Sequence, residues 1–191
     1  MKLPLLICGL PRSRTFWLYK YFSEYENLNS NHEHTLKVNS VSDFCLEFYD
    51  PSKQFINVDA FNFLTYDHGL FEKATVIYIE KDLERCIQST LDIFPEDSFV
   101  HTKYNYEGLY ESYSGLRDFY RNHVNLVIDY YDLDNNIEYL HSFLEVEYDP
   151  DIHKKMKEMV LNTSTAYFSK RTVSVWDPEL KFFQGDSYIN D

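Results

Sequence analysis

Glycine and proline are scarce in this chain, five and six among 191 residues. That excludes collagen-like, linker-like and low-complexity composition. Cysteine is scarcer still: Cys8, Cys45 and Cys86 are an odd number with no CxxC spacing. A disulfide framework and a zinc ribbon are thereby excluded, and the apolar neighbours of each point to free, buried thiols in a reducing compartment. Long apolar runs are missing. The first one stops at Gly9, too short for a secretory core with its cleavage site, and no later stretch approaches the roughly 18 residues of a membrane helix. Positive charge is also in short supply. Eighteen Lys and Arg against 31 Asp and Glu give a net charge of −13. This weighs against a nucleic-acid partner, which needs a basic stripe, and against an anionic membrane surface. The expectation is a cytoplasmic protein without nucleic-acid or membrane partners.

What is present is a globular composition unusually rich in aromatics. Hydrophobic residues make up 44% and aromatics 18%, with 17 Tyr and 15 Phe. The length suits one domain over residues 1–191. Leu3–Cys8 is a continuous apolar run that reads as a fully buried strand. A helix is expected over about 14–25, a polar loop over 26–40, and a short helix from Ser42 to Tyr49, ended by Asp50-Pro51. Phe55–Val58 and Ala74–Ile79 are further strands, and Leu83, Ile87, Leu91 and Phe94 have helical spacing. After a loop over 95–105 come a helix over 106–122, a strand over 124–128, a helix from Asp134 to Leu144 and another from Pro150 to about Leu161. Residues 162–191 receive no assignment. Buried strands alternating with helices imply an α/β fold, with a parallel sheet of about four to five strands covered on both faces.

The segment Cys8–Trp17, CGLPRSRTFW, joins the first strand to the first helix. A helix N-terminus offers unpaired N–H groups and the positive end of a dipole, which together hold an anion. Arg12 and Arg14 add two of the chain's six arginines, and Ser13 and Thr15 add hydroxyls. The segment is not an ATP-type P-loop, which needs GxxxxGK[ST], nor a GxGxxG turn, since Pro11 occupies the second glycine position.

Gly9, Pro11, Arg12, Ser13, Thr15 and Trp17 in this order resemble the 5′-phosphosulfate loop of PAPS-dependent sulfotransferases, including their short bacterial and phage-type relatives. Arg14 stands where that family usually has Gly, and Phe16 where it often has Thr. A second motif, VIYIEKDLERCIQST, is similar to the family's 3′-phosphate site: Lys81 follows a strand where Arg is usual, and Ser89 comes eight residues later. VNLVIDYYDLDNNIEYLHSFLEV resembles the family's late strand, acidic-Leu turn and helix. Lys170-Arg171 is the late basic pair that could reach the 3′-phosphate.

The resemblance implies a P-loop-like sulfotransferase fold using PAPS as donor and releasing PAP, without a metal. Arg12 would contact the 5′-phosphate and the transferring sulfuryl group. Backbone N–H groups, Ser13 and Thr15 would cradle the phosphate. Trp17 would stack on adenine, or else be a core residue. The acceptor's base would be Glu33 or His32 of His32-Glu33-His34, or the two together with the carboxylate orienting the imidazole, and no metal-ligand spacing surrounds the triplet. Asp59, at the end of a strand, would position an acceptor or cap a turn. The acceptor itself, a small molecule or a carbohydrate, is not readable. A P-loop-type nucleotide kinase or phosphotransferase, and a non-catalytic nucleotide-binding protein on the same scaffold, are the alternatives.

Overall fold

The computed structural model describes residues 4–32, 34–36, 52–94, 96, 100–158, 172–177 and 182–187. Five parallel strands form the main sheet: β1 (Leu5–Gly9), β2 (Leu28–His32), β3 (Gln54–Val58), β4 (Thr75–Glu80) and β5 (Leu126–Asp129). Their order is β2-β3-β1-β4-β5. β1 lies in the middle, with Leu5 opposite Ile56 on one side and Thr75 on the other, and every residue of it is buried. That accounts for its continuous apolar sequence, because a strand covered on both faces needs apolar side chains at odd and even positions alike.

Among the described residues five α-helices accompany the sheet: α1 (Thr15–Ser23), α2 (Leu83–Leu91), α3 (Asn105–His123), α4 (Ile137–Leu144) and α5 (Pro150–Glu158). Strand alternation sorts them onto two faces. Leu5, Ile7, Ile56, Val58, Ile77 and Ile79 share a cluster with Leu18 and Phe22 of α1, Leu140 of α4 and Met156 of α5. Leu6, Cys8, Phe55, Val76 and Tyr78 point the other way, into a cluster with Ile87 of α2 and Leu109, Leu116 and Tyr120 of α3. The α/β class and the parallel sheet expected from the sequence are what the structure contains.

The differences are local. The expected loop over 26–40 contains β2, an edge strand of sequence LNSNH in which only Leu28 and His32 are buried. A polar edge strand carries no apolar run, so its sequence resembles a loop. The expected loop over 95–105 ends in a π-helical turn, Val100–Tyr104, leading into α3. α2 stops at Leu91 rather than Phe94, and α4 starts at Ile137 rather than at Asp134, which lies in a run of turns and pairs with Arg14. The unassigned C-terminal stretch contains an antiparallel hairpin of β6 (Thr172–Asp177) and β7 (Phe182–Ser187). The helix expected over 42–49 lies outside the described residues.

Cys8 and Cys86 are buried free thiols, and Cys45 lies outside the described residues. Burial pushes the Cys86 thiol up to about 12 and raises that of Cys8 as well, so neither is a thiolate nucleophile near neutral pH.

Candidate functional site

In this sheet the chain leaves β1 toward β2 on one side and leaves β4 toward β5 on the other. The adjacent strands β1 and β4 therefore flank a topological switch point, and the crevice beyond their C-terminal ends is where open α/β sheets bind ligands. The β1–α1 loop occupies that crevice. A Cβ at Gly9 would come within 2.1 Å of Ser13 Oγ, so the start of the loop is closed around a glycine. Ser13 is fully buried, and both its N–H (3.1 Å) and its hydroxyl (2.5 Å) donate to the Leu10 carbonyl. Arg12 and Arg14 both take left-handed backbone, at φ 76° and 65°. Leu18 N–H donates to the Arg14 carbonyl at 3.0 Å, and α1 begins there without any side-chain cap. A helix start without a side-chain acceptor leaves first-turn N–H groups to meet another partner.

Around this loop the structure assembles the basic residues expected from two separate motifs. Arg12 Nε donates to Ser89 Oγ on α2 at 3.2 Å. Lys81, just past β4, donates from Nζ to the Arg12 carbonyl at 3.0 Å. Residues 69 and 77 positions apart in sequence thus meet at one point. Burial lowers the pKa of the Arg12 guanidinium, and it lowers that of Lys81, where the nearby charges of Arg12 and Arg85 add to the effect. Cations held together and partly desolvated are stabilised when an anion arrives. Lys81 makes no ion pair with a carboxylate among the described residues.

The turn after β5 closes one side. The Tyr130 ring lies 4.9 Å from Lys81 Nζ and 5.9 Å from the Arg14 guanidinium carbon, both within cation–π range. Arg14 pairs with Asp134 at 3.2 Å, with its guanidinium 4.3 Å from the centre of the Trp17 ring. Trp17 is 7% exposed, stacks on Tyr21 at 5.3 Å and donates from Nε1 to the Met156 carbonyl at 3.1 Å. It is a core residue here, and a base could stack on it only if Arg14 moved away. Thr15 is buried at the start of α1, Pro11 is half-buried in the loop, and Phe16 is half-buried.

The other half of the same sheet edge has a different character. His32, at the end of β2, is buried, and its ring meets Phe16 edge-on at 5.4 Å, which links it to the first turn of α1. His34 is buried in the 3-10 turn His34–Leu36. Asp59, just beyond β3, is fully buried and accepts from the Thr35 hydroxyl, Thr35 N–H (3.3 Å), Phe61 N–H (2.9 Å) and Asn57 Nδ2 (3.4 Å). Burial raises its pKa, and those hydrogen bonds counteract the rise only in part. Glu33, Lys170 and Arg171 lie outside the described residues.

Tyr130, Asp134, Thr35 and Arg85 belong to this region without having been given a part in the site from the sequence, which assigned Asp134 only a helix start. Only the sheet order, which puts β5 beside β4, brings the first two to Lys81 and Arg14.

No protein-family model and no curated protein sequence matches the chain. Among solved structures, mouse sulfotransferase SULT7A1, crystallised with PAP, aligns with a TM-score of 0.53 and 14% identity. The fold is sulfotransferase-like. The alignment covers 81% of this chain and 62% of the mouse protein, so the chain spans less than two thirds of that protein's length. Among the described residues no three His, Cys, Asp or Glu are grouped to hold a metal ion, and no helix is long and apolar enough to cross a membrane.

Proposed function

We propose that this protein is a PAPS-dependent sulfotransferase, transferring a sulfuryl group to a hydroxyl or amine of a small-molecule or carbohydrate acceptor and releasing PAP. One observation carries the reading: Arg12, Lys81 and Ser89 converge on an uncapped helix N-terminus at the switch point of a sulfotransferase-like sheet. This donor set fits a doubly phosphorylated nucleotide, since it consists of cations, a hydroxyl and backbone N–H groups. The solved neighbour has PAP bound, which favours the same ligand here.

PAPS when bound supplies the sulfuryl group and a phosphate that leaves. Arg12 and the first-turn N–H groups of α1 would hold that 5′-phosphate and stabilise the charge that develops on it. Lys81 and Ser89 would hold the 3′-phosphate. Ser13 has a different part from a phosphate donor, because its hydroxyl is spent on the Leu10 carbonyl and shapes the loop. The acceptor's proton would go to Glu33 or to His32, which borders the first turn of α1 through Phe16.

The test is calorimetric titration with PAP, using ATP with Mg²⁺ as control. Wild type is expected to bind PAP at micromolar concentration and ATP more weakly. Arg12→Ala is expected to lose about a hundredfold in PAP affinity, the scale of charge-assisted contacts, and to abolish transfer. Tighter binding of ATP with Mg²⁺ would favour a phosphotransferase. Equal PAP affinity in Arg12→Ala would remove the loop from the binding site. Glu33→Gln and His32→Gln, assayed for turnover at unchanged PAP affinity, identify the base.

A further inference from the structure

Arg85 lies inside the second motif, between Lys81 and Ser89, without being one of the residues given a role there, and its surroundings single it out. It lies on the first turn of α2, one helical turn before Ser89 and so on the same face of that helix, while Lys81 lies just before the helix begins. Its charge lies near enough to Lys81 to help lower that residue's pKa. Among the described residues its side chain makes no ion pair, although the molecule carries 31 acidic residues. Instead, Nη1 donates to the Tyr131 hydroxyl at 2.9 Å, and the guanidinium carbon sits 5.4 Å from the centre of the Tyr131 ring. Tyr131 is itself 53% exposed and follows β5 on the ligand edge of the sheet. An exposed arginine tied to a tyrosine rather than to a carboxylate has no counter-ion in contact and has donors left over.

We propose that Arg85 is a second cation of the distal phosphate site, held in place by Tyr131, and that it sets the preference for a nucleotide with two separate phosphates over one with a single 5′-phosphate. The inference rests on the donor reading above. It assigns Arg85 a ligand contact and makes Tyr131 a positioning residue. Lys81 is a point charge, without the fork that matches two phosphate oxygens, and the Arg85 guanidinium supplies that fork one turn further along the helix.

The experiment titrates wild type, Arg85→Ala, Arg85→Lys and Tyr131→Phe with PAP and with AMP, which lacks the 3′-phosphate. Arg85 is exposed, so its loss leaves the fold intact, and thermal melting of each variant verifies this. Arg85→Ala is expected to weaken PAP about tenfold and AMP by less than about twofold, so that discrimination between them shrinks. Arg85→Lys is expected to recover part of the loss, and Tyr131→Phe to weaken PAP about threefold with AMP unchanged. Equal losses for both nucleotides, or no loss for either, would overturn the role of Arg85 while leaving the donor reading intact. Wild type that binds PAP no better than AMP would instead overturn the donor reading, and this inference with it.

Discussion

The two halves of the ligand edge are built in opposite ways. At the ends of β1, β4 and β5 the side chains are cationic and partly open: Arg12, Arg14, Lys81 and Arg85 meet Ser89, Tyr130, Tyr131 and Asp134. At the ends of β2 and β3 they are buried, with Asp59 receiving hydrogen bonds from Thr35, Phe61 and Asn57. In the first half Lys81 and Arg85 make no ion pair among the described residues, while Arg14 is paired with Asp134. A site that must hold a connection in place encloses its carboxylate among donors. The first half is expected to govern affinity, the second stability.

Exchanging the roles is the strongest way to break that contrast. Arg12→Ala, with its large loss of PAP affinity, is expected to cost less than about 1 kcal/mol of folding stability, because a half-buried arginine on left-handed backbone contributes little to the fold. Asp59→Ala is expected to do the reverse. It strands several buried donors, and urea denaturation should show a loss of about 3 kcal/mol, while the folded variant still binds PAP like wild type. Loss of PAP binding by folded Asp59→Ala would merge the two halves into one site.

Acidity sharpens the comparison further. The folded-state pKa of Asp59 is raised above the ordinary 3.8, so ionisation works against the folded state. The contribution of the protonated carboxyl is complete below that value and is lost as pH rises through the folded-state value. The stability advantage of wild type over Asp59→Asn is therefore expected to shrink as pH is raised. A gap that widens would mean that the carboxylate, rather than the acid, is the form the fold prefers.

The smallest effect is expected at Arg14. Gly there would relieve about 1 kcal/mol of left-handed strain and lose a part-exposed ion pair with Asp134 worth about as much. Arg14→Gly should therefore stay within about 0.5 kcal/mol of wild type by denaturation. A clear destabilisation would mean that its position over Trp17 contributes more than the ion pair does.

Much of the cationic half was legible in the chain. Lys81 and Ser89 were picked out by the resemblance of one strand–helix segment to the sulfotransferase family, and Arg12 by its place between a strand and a helix. Local order is enough for such residues, because a strand end and the first turns of the next helix are adjacent whatever the rest of the fold does. Tyr130 and Asp134 carry no such signal. Neither is close in sequence to the loop it borders, and only the pairing of β5 beside β4 brings them there. β2 was not legible for a related reason: an edge strand with one neighbour needs few apolar residues, so its five positions resemble a loop.

The sequence by itself determined the α/β class and the buried central strands. These are encoded in runs and spacings of a few residues, and burial on both faces of a parallel sheet demands the apolar runs directly. Only the tertiary structure decided that Arg12 reaches Ser89, that Lys81 reaches the Arg12 carbonyl, that Trp17 faces the core beneath Arg14, and that Asp59 is enclosed by Thr35 and Asn57. Those contacts join positions from 2 to 77 residues apart, and in most of them it is strand order, with its crossing at β1 and β4, that sets which ends meet.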